Sequence, residues 1–286
     1  MSISVGKSGQ SVASATKGGA PGSPCALAQF PRSHFEAVKL LNGIALKVEL
    51  DELRRNCGYS AITDFRLPVG LGIEEFQTLN ATVRDRVPLD RGSTLFHQGD
   101  YFAALYVVRT GSLKTFVEGS EGDLQILGFH LPGDIMGIGG LTNEHHPCSA
   151  EALERCSVYE LRYAKLQEAS ASVPALHHQL IRVISGAMVN EQRHMVMMGK
   201  QLAQRRVAVF IRSLAGRYAR LSRDPLSLTL SMSRGDIANY LGLALETVSR
   251  LFTRMEADGL LAVNGKSVHI LRCDLLDELC GSEIDI

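Results

Sequence analysis

TLSMSRGDIANYLGLALETVSRLFTRMEADGLLAV, from Thr229 to Val263, reads as two helices with a tight turn between them and the start of a wing. Ser233 is a good N-cap for a helix beginning near Arg234. Ile237, Ala238 and Leu241 recur at helical spacing and form an inward face. Gly242 supplies the turn, because glycine takes backbone conformations that other residues resist. A second helix follows from about Glu246 to Asp258, with Val248, Leu251, Phe252 and Met255 on one side. Gly259 closes it. Leu260 to Ile270, with Asn264-Gly265 inside, has the pattern of a β-hairpin.

The polar side of the second helix carries the chemistry. Glu246, Ser249 and Arg250 are spaced by three and four residues and share one face. In a helix-turn-helix, the N-terminal residues of the second helix meet base edges in the major groove. Arginine can donate two bonds to guanine O6 and N7, glutamate can accept from cytosine N4, and serine can do either. Thr247, Arg234 and Arg254 complete the expected DNA-contacting set. The competing reading is a helical pair in a core with a surface Glu-Arg pair four residues apart. It accounts for only one of the observed features, whereas cap, turn, polar face and wing agree on the first.

The chain has 286 residues, enough for one to three domains, and 45% of them are apolar. Thirty basic residues balance thirty acidic ones. A DNA binder of zero net charge must concentrate its positive charge locally. From Lys200 to Lys266 there are eleven basic residues against five acidic, a local excess of six. Double-stranded DNA is therefore the expected partner. No apolar run approaches membrane-spanning length, and the start lacks a signal-peptide core, so no membrane partner and a cytoplasmic location are expected. The six cysteines are scattered with no CxxC, and free thiols are expected.

The domain boundaries follow from composition. Residues 1–45 read as a disordered or weakly ordered tail, rich in Ser, Gly and Ala at its start. Residues 46–75 form an N-terminal segment. Phe35–Leu53 and Ile73–Val83 have helical character. Residues 76–170 hold short β-rich runs separated by glycine turns: Thr94–Phe96, Leu105–Arg109, Leu113–Val117, Ile126–Leu131 and Ala150–Leu161. That spacing suggests a jelly-roll-like β-roll. Residues 171–203 are a long helix, opened by Pro174 and running to about Gln204. Residues 204–286 make the winged helix-turn-helix domain. The fold class is α+β.

In the long helix, Ile181, Ile184, Met188, Glu191, Met195, Met198 and Leu202 alternate steps of three and four. This is a heptad seam with one charged member, Glu191. It suits a parallel homodimer, and a helix-turn-helix works best in two symmetric copies. The other reading is a helix packed on its own domain.

The order β-roll, long helix, winged helix-turn-helix resembles the Crp/Fnr transcription regulators over roughly Leu67 to Leu271. TLFHQGD (94–100), LYVVRTGSLK (105–114), GFHLPGD (128–134), MSRGDIANYLGLALETVSRL (232–251) and GLLAVNGK (259–266) look Fnr-like. The resemblance implies that Glu246, Ser249 and Arg250 read bases. Leu245 stands where the Crp branch has arginine, so an Fnr-type TTGAT half-site is implied rather than TGTGA. The loop Val117 to Gln125 resembles the surface by which the family contacts RNA polymerase, which implies activation.

The sensor does not carry over. Fnr proteins hold a [4Fe-4S] cluster on four thiolates. In CGYSAITDFRLPVGL (57–71), Cys57 matches the first ligand, but Ser60 and Arg66 occupy the next two positions. Tyr159 stands at the distant ligand's position, with Cys156 three residues earlier. The cyclic-nucleotide cassette, Glu on the ribose and Arg on the phosphate, reads Gly137-Ile138 and Pro147-Cys148-Ser149 here. No cofactor and no metal are therefore expected. Cys57, Cys148 and Cys156 are candidate redox thiols. An enzyme of cupin type would use His97, His130, His145 and His146 on the β-roll, but the HxH spacing is absent. His97 and His130 read as surface or turn residues.

Overall fold

The computed structural model describes residues 83–85, 88–172, 174–200 and 202–281. The expected tail (1–45), the segment 46–75, and Cys57, Ser60 and Arg66 lie outside these residues. So do the two early helical stretches, except Val83, which begins a strand.

Eight strands build the first unit: β1 (Val83–Asp85), β2 (Thr94–Phe96), β3 (Ala104–Thr110), β4 (Leu113–Glu118), β5 (Leu124–His130), β6 (Ile135–Met136), β7 (Ser149–Ala152) and β8 (Ser157–Arg162). They form two antiparallel sheets of order β1-β8-β3-β6 and β2-β7-β4-β5, the expected β-roll. β3 is buried on both faces. Ala104, Tyr106 and Val108 point into one apolar cluster, while Leu105 and Val107 point into another.

The run Ala150–Leu161, read from sequence as one strand, is two. β7 belongs to one sheet and β8 to the other, and exposed Glu154 and Arg155 mark the bend where the chain crosses. Gly111 packs into this bend. At φ 74° it is left-handed, and a Cβ there would meet Arg155 O at 2.6 Å and Cys156 Cβ at 2.7 Å.

Helices α1 (Tyr163–Ser172) and α2 (Pro174–Lys200) follow. α1 was not anticipated: only Leu166 and Ala169 are buried, so its apolar stripe is thin. α2 is the expected long helix, but it ends at Lys200 rather than Gln204. Leu202 is extended (φ −63°, ψ 149°) and begins α3 (Ala203–Arg220). Arg206 of α3 donates to Met198 O at 2.6 Å, satisfying a carbonyl at the end of α2 that has no helical partner.

The second unit contains α3, β9 (Ser227–Thr229), α4 (Arg234–Tyr240), α5 (Leu245–Ala257), β10 (Leu261–Asn264), β11 (Ser267–Ile270) and α6 (Cys273–Cys280). β10 and β11 are the expected hairpin, and β9 adds a third strand to it. α6 was not anticipated; it buries Cys273, Leu276 and Cys280. It is held to α3 by the Arg212–Asp277 ion pair and by Arg205 Nε donating to Cys280 O at 2.8 Å. Cys148, Cys156 and Cys280 are free, whereas Cys273 is disulfide-bonded, against the expectation of free thiols throughout.

Both units share one apolar cluster, and a β-bulge makes this possible. β4 and β5 pair with Thr115 opposite Gly128 and Phe116 opposite Ile126, which leaves Leu127 as the extra residue. In a regular strand Ile126 and Phe129 would face opposite sides. The extra residue turns both to the side shared by Phe116. These three residues join Val207, Phe210, Leu214 and Ile237 of the second unit in one core.

Candidate nucleic-acid interface

The helix-turn-helix is built as its sequence implies. Ser233 caps α4: its hydroxyl accepts from Asp236 N at 3.0 Å, and Asp236 Oδ2 accepts from Ser233 N at 2.8 Å. This reciprocal capping box closes two otherwise unpaired amides. The capping bonds, with help from Lys114, hold the Asp236 carboxyl below its usual pKa despite the opposing effect of burial. Gly242 (φ 60°) makes the turn, and Met198 packs against it. Tyr218 OH donates to Thr229 O at 2.8 Å and accepts from Thr229 N at 3.2 Å, pinning β9 to α3.

α5 buries Val248, Phe252 and Met255 and leaves Glu246, Ser249, Arg250 and Arg254 exposed, with Thr247 half-buried. Arg250 Nε lies 3.3 Å from Glu246 O, so the guanidinium rests along the first turn of its own helix. Arg254 forms an exposed ion pair with Asp258 at 3.7 Å. Glu256 Oε1 accepts from Val263 N at 3.0 Å and braces α5 against the wing.

Arg234 is placed differently from the other expected DNA-contacting residues. Its guanidinium carbon sits 3.7 Å from the centroid of the Phe252 ring, and burial lowers its pKa. The structure gives it a packing role that the sequence did not suggest.

Along α2, Ile181, Ile184, Met188 and Met195 form an exposed apolar stripe. Glu191 lies within it, and partial burial raises its carboxyl's pKa. Met198 is half-buried against the core shared by the two units. Leu202 is exposed beyond the end of the helix.

Among the described residues, the sensor positions are closed. Tyr159 is fully buried in the β-roll, with the Arg109 guanidinium carbon 5.3 Å from its ring centroid. Cys156 is buried, and burial pushes its thiol up to about 11. Burial, and then the charge of Glu191, push Cys148 up to about 11 as well. Thiol reactivity follows the thiolate fraction, which is small at neutral pH for both. Between Gly137 and Ser149 there is no arginine or lysine to meet a phosphate. His146 instead fills that region, stacked on Phe96 at 3.9 Å with Nδ1 buried and without a hydrogen-bond partner. A cyclic nucleotide does not fit these residues.

The four histidines considered for a metal are not brought together. His97 is exposed, and His145 Nδ1 lies 3.0 Å from Asn143 O. His130 corrects its reading as a surface or turn residue. It ends β5, half-buried, with Nε2 3.0 Å from Thr115 Oγ1. Among the described residues, no group of three or more His, Cys, Asp or Glu could hold a metal.

Comparison with known proteins matches residues 86–172 to a cyclic nucleotide-binding domain and residues 230–261 to bacterial regulatory proteins of the crp family. The transcriptional activator protein Anr of Pseudomonas protegens is 41% identical over 230 residues, covering 80% of this chain and 94% of that protein. The chain belongs to the Crp/Fnr family of transcription regulators. The fumarate and nitrate reduction regulatory protein of Escherichia coli K12 is 38% identical over 226 residues, covering 79% of this chain and 90% of its own length. FixK2 of Bradyrhizobium japonicum superposes with a TM-score of 0.64 at 28% identity, over 70% of this chain and 98% of FixK2. This Crp/Fnr chain is a regulator and not an enzyme. No helix among its described residues is long and apolar enough to cross a membrane.

Proposed function

We propose that this Crp/Fnr protein is a homodimeric, cytoplasmic transcription activator that reads a palindrome of the type TTGAT-N4-ATCAA. The observation that carries the reading is the face of α5, where Glu246, Ser249 and Arg250 stand exposed and adjacent. Arg250 would donate to guanine, Glu246 would accept from cytosine on the other strand, and Ser249 would complete the contact. Thr247 and Arg254 flank them. The Met-rich stripe of α2 supports the dimer, which would set two recognition helices on half-sites about 34 Å apart. The names of the relatives support activation. The turn between β4 and β5, with Glu118, Glu121 and Asp123, is the surface assigned to RNA polymerase.

The same reading includes no [4Fe-4S] cluster: Ser60 and Arg66 replace ligands, and Tyr159 fills the core at the distant ligand's position. The purified protein is expected to be colourless and stable in air. Iron and sulfide near four per subunit would refute this.

DNA binding is tested by fluorescence anisotropy on the palindrome and on a scrambled half-site. Arg250→Ala should cost about 1–3 kcal/mol and relax preference at the guanine. Equal wild-type affinity for both DNAs would overturn the proposal.

A further inference from the structure

The second unit is docked on the β-roll by a contact that the recognition surface does not use. In the sheet β2-β7-β4-β5, β5 is an edge strand, with outward N–H and C=O groups that pair with no strand. Asn239, near the end of α4, sits against that edge. Its Oδ1 accepts from Ile126 N at 2.6 Å, and its Nδ2 donates to Leu124 O at 2.6 Å. Leu124 and Ile126 are two residues apart, so their outward groups lie on the same edge. The carboxamide thus presents one acceptor and one donor, as the backbone of a neighbouring strand would. Gln125 Nε2 closes the contact from the other side, donating to Asn239 O at 3.1 Å.

Three further ties surround this one. Lys114 of β4 bridges Glu151 at 3.2 Å and Asp236 at 3.4 Å. Arg217 of α3 pairs with Asp134 and donates to Phe129 O at 2.7 Å. The Phe129 ring packs on Tyr240 at 5.1 Å, and His194 of α2 stacks on the same Tyr240 ring at 4.3 Å. All the β-roll partners named here engage α3 or α4, and the polar face of α5 stays open. The docked pose is therefore one in which DNA can reach the recognition helix.

We propose that Asn239 is a positioning residue that fixes the spacing at which the protein reads DNA. The proposal rests on the palindrome-reading dimer. In such a dimer the two recognition helices are held apart through their own β-rolls and the α2 seam. A docked unit has one reach, so only one spacer brings both helices onto bases. An undocked unit is tethered through the chain at Leu202, samples many positions, and pays little extra for a wrong spacer. Asn239 touches no base-reading residue and acts through the orientation of α4.

The test uses the full chain with wild type and Asn239→Leu, which keeps similar bulk and removes both hydrogen bonds. Affinity is measured for TTGAT-N4-ATCAA, for the same half-sites with N5 and N6 spacers, for a single half-site and for a scrambled site. Wild type should prefer N4 strongly. In the variant that preference should fall by about fivefold or more, with single half-site affinity unchanged. Variant and wild type with the same spacer preference would overturn the positioning role while leaving the palindrome reading intact. A wild type that does not distinguish the palindrome from scrambled DNA would overturn both. If Asn239→Leu does not fold, amide exchange of the wild type decides. The Ile126 N–H should be protected like a paired strand amide, and exchange at the rate of an open edge amide would sink the proposal.

Discussion

Arg234 was expected at the DNA, and the structure stacks it on Phe252, so replacing it separates two roles. Its guanidinium carbon is 3.7 Å from the ring centroid, close for a cation–π contact, and the group is half-buried. Such contacts contribute about 0.5–1 kcal/mol when exposed and about 2 when desolvated. A coupling of about 1–2 kcal/mol between Arg234 and Phe252 follows for this intermediate site. Arg234→Ala, Phe252→Leu and the double variant form a cycle that isolates this term from the loss of the arginine stem's packing. Urea unfolding of the four proteins provides the energies. The salt dependence of DNA binding provides the second readout, because each lost phosphate contact lowers the slope by about one. With Arg234 held over the ring, the slope should not change in Arg234→Ala. A coupling below about 0.5 kcal/mol together with a slope reduced by about one would refute the packing role and return Arg234 to the DNA.

His130 makes stability pH-dependent: burial, opposed by Asp134 and assisted by Arg217, lowers its pKa to about 4. A folded-state value below the unfolded one means that the unfolded chain takes up the proton first. The stability from this group is complete above the ordinary imidazole range and is lost as pH falls towards about 4. The loss from pH 7 to pH 5 should be about 2 kcal/mol, and His130→Gln should flatten that part of the urea-midpoint profile. An equally steep profile in the variant would show that other groups carry it; burial lowers His146 and His194 in the same direction. Gly111→Ala combines a left-handed backbone with a clash against the fixed backbone at Arg155 and should destabilise by about 2–5 kcal/mol in chemical denaturation. Glu191→Ala should tighten the dimer by roughly 1–3 kcal/mol, because symmetry brings two partly desolvated carboxylates together in the apolar stripe. Sedimentation across a dilution series measures this, and an unchanged or weaker dimer would show that the carboxylates do not face each other.

The sequence by itself determined what depends on short-range chemistry. The Ser233 cap, the Gly242 turn, the span of α5, the wing hairpin and most strands of the β-roll follow from caps, glycines and periodicity, all set by neighbours a few residues apart. The exposed trio Glu246, Ser249 and Arg250 was legible for the same reason, since helical spacing alone puts them on one face. Tertiary structure decided what depends on partners far along the chain. The ring under Arg234 lies eighteen positions away at Phe252, and Asn239 meets β5 more than a hundred residues away. The end of α2 was misread because the seam pattern runs on through Leu202, while the carbonyl left by the break is satisfied by Arg206. α1 and α6 escaped notice because each buries only two or three side chains. The bulge at Leu127 has no signal in the local pattern, yet it turns Ile126 and Phe129 to one side and creates the surface on which the DNA-binding unit docks. Periodicity reports which face of one element is apolar. It carries no information on which other element that face will meet.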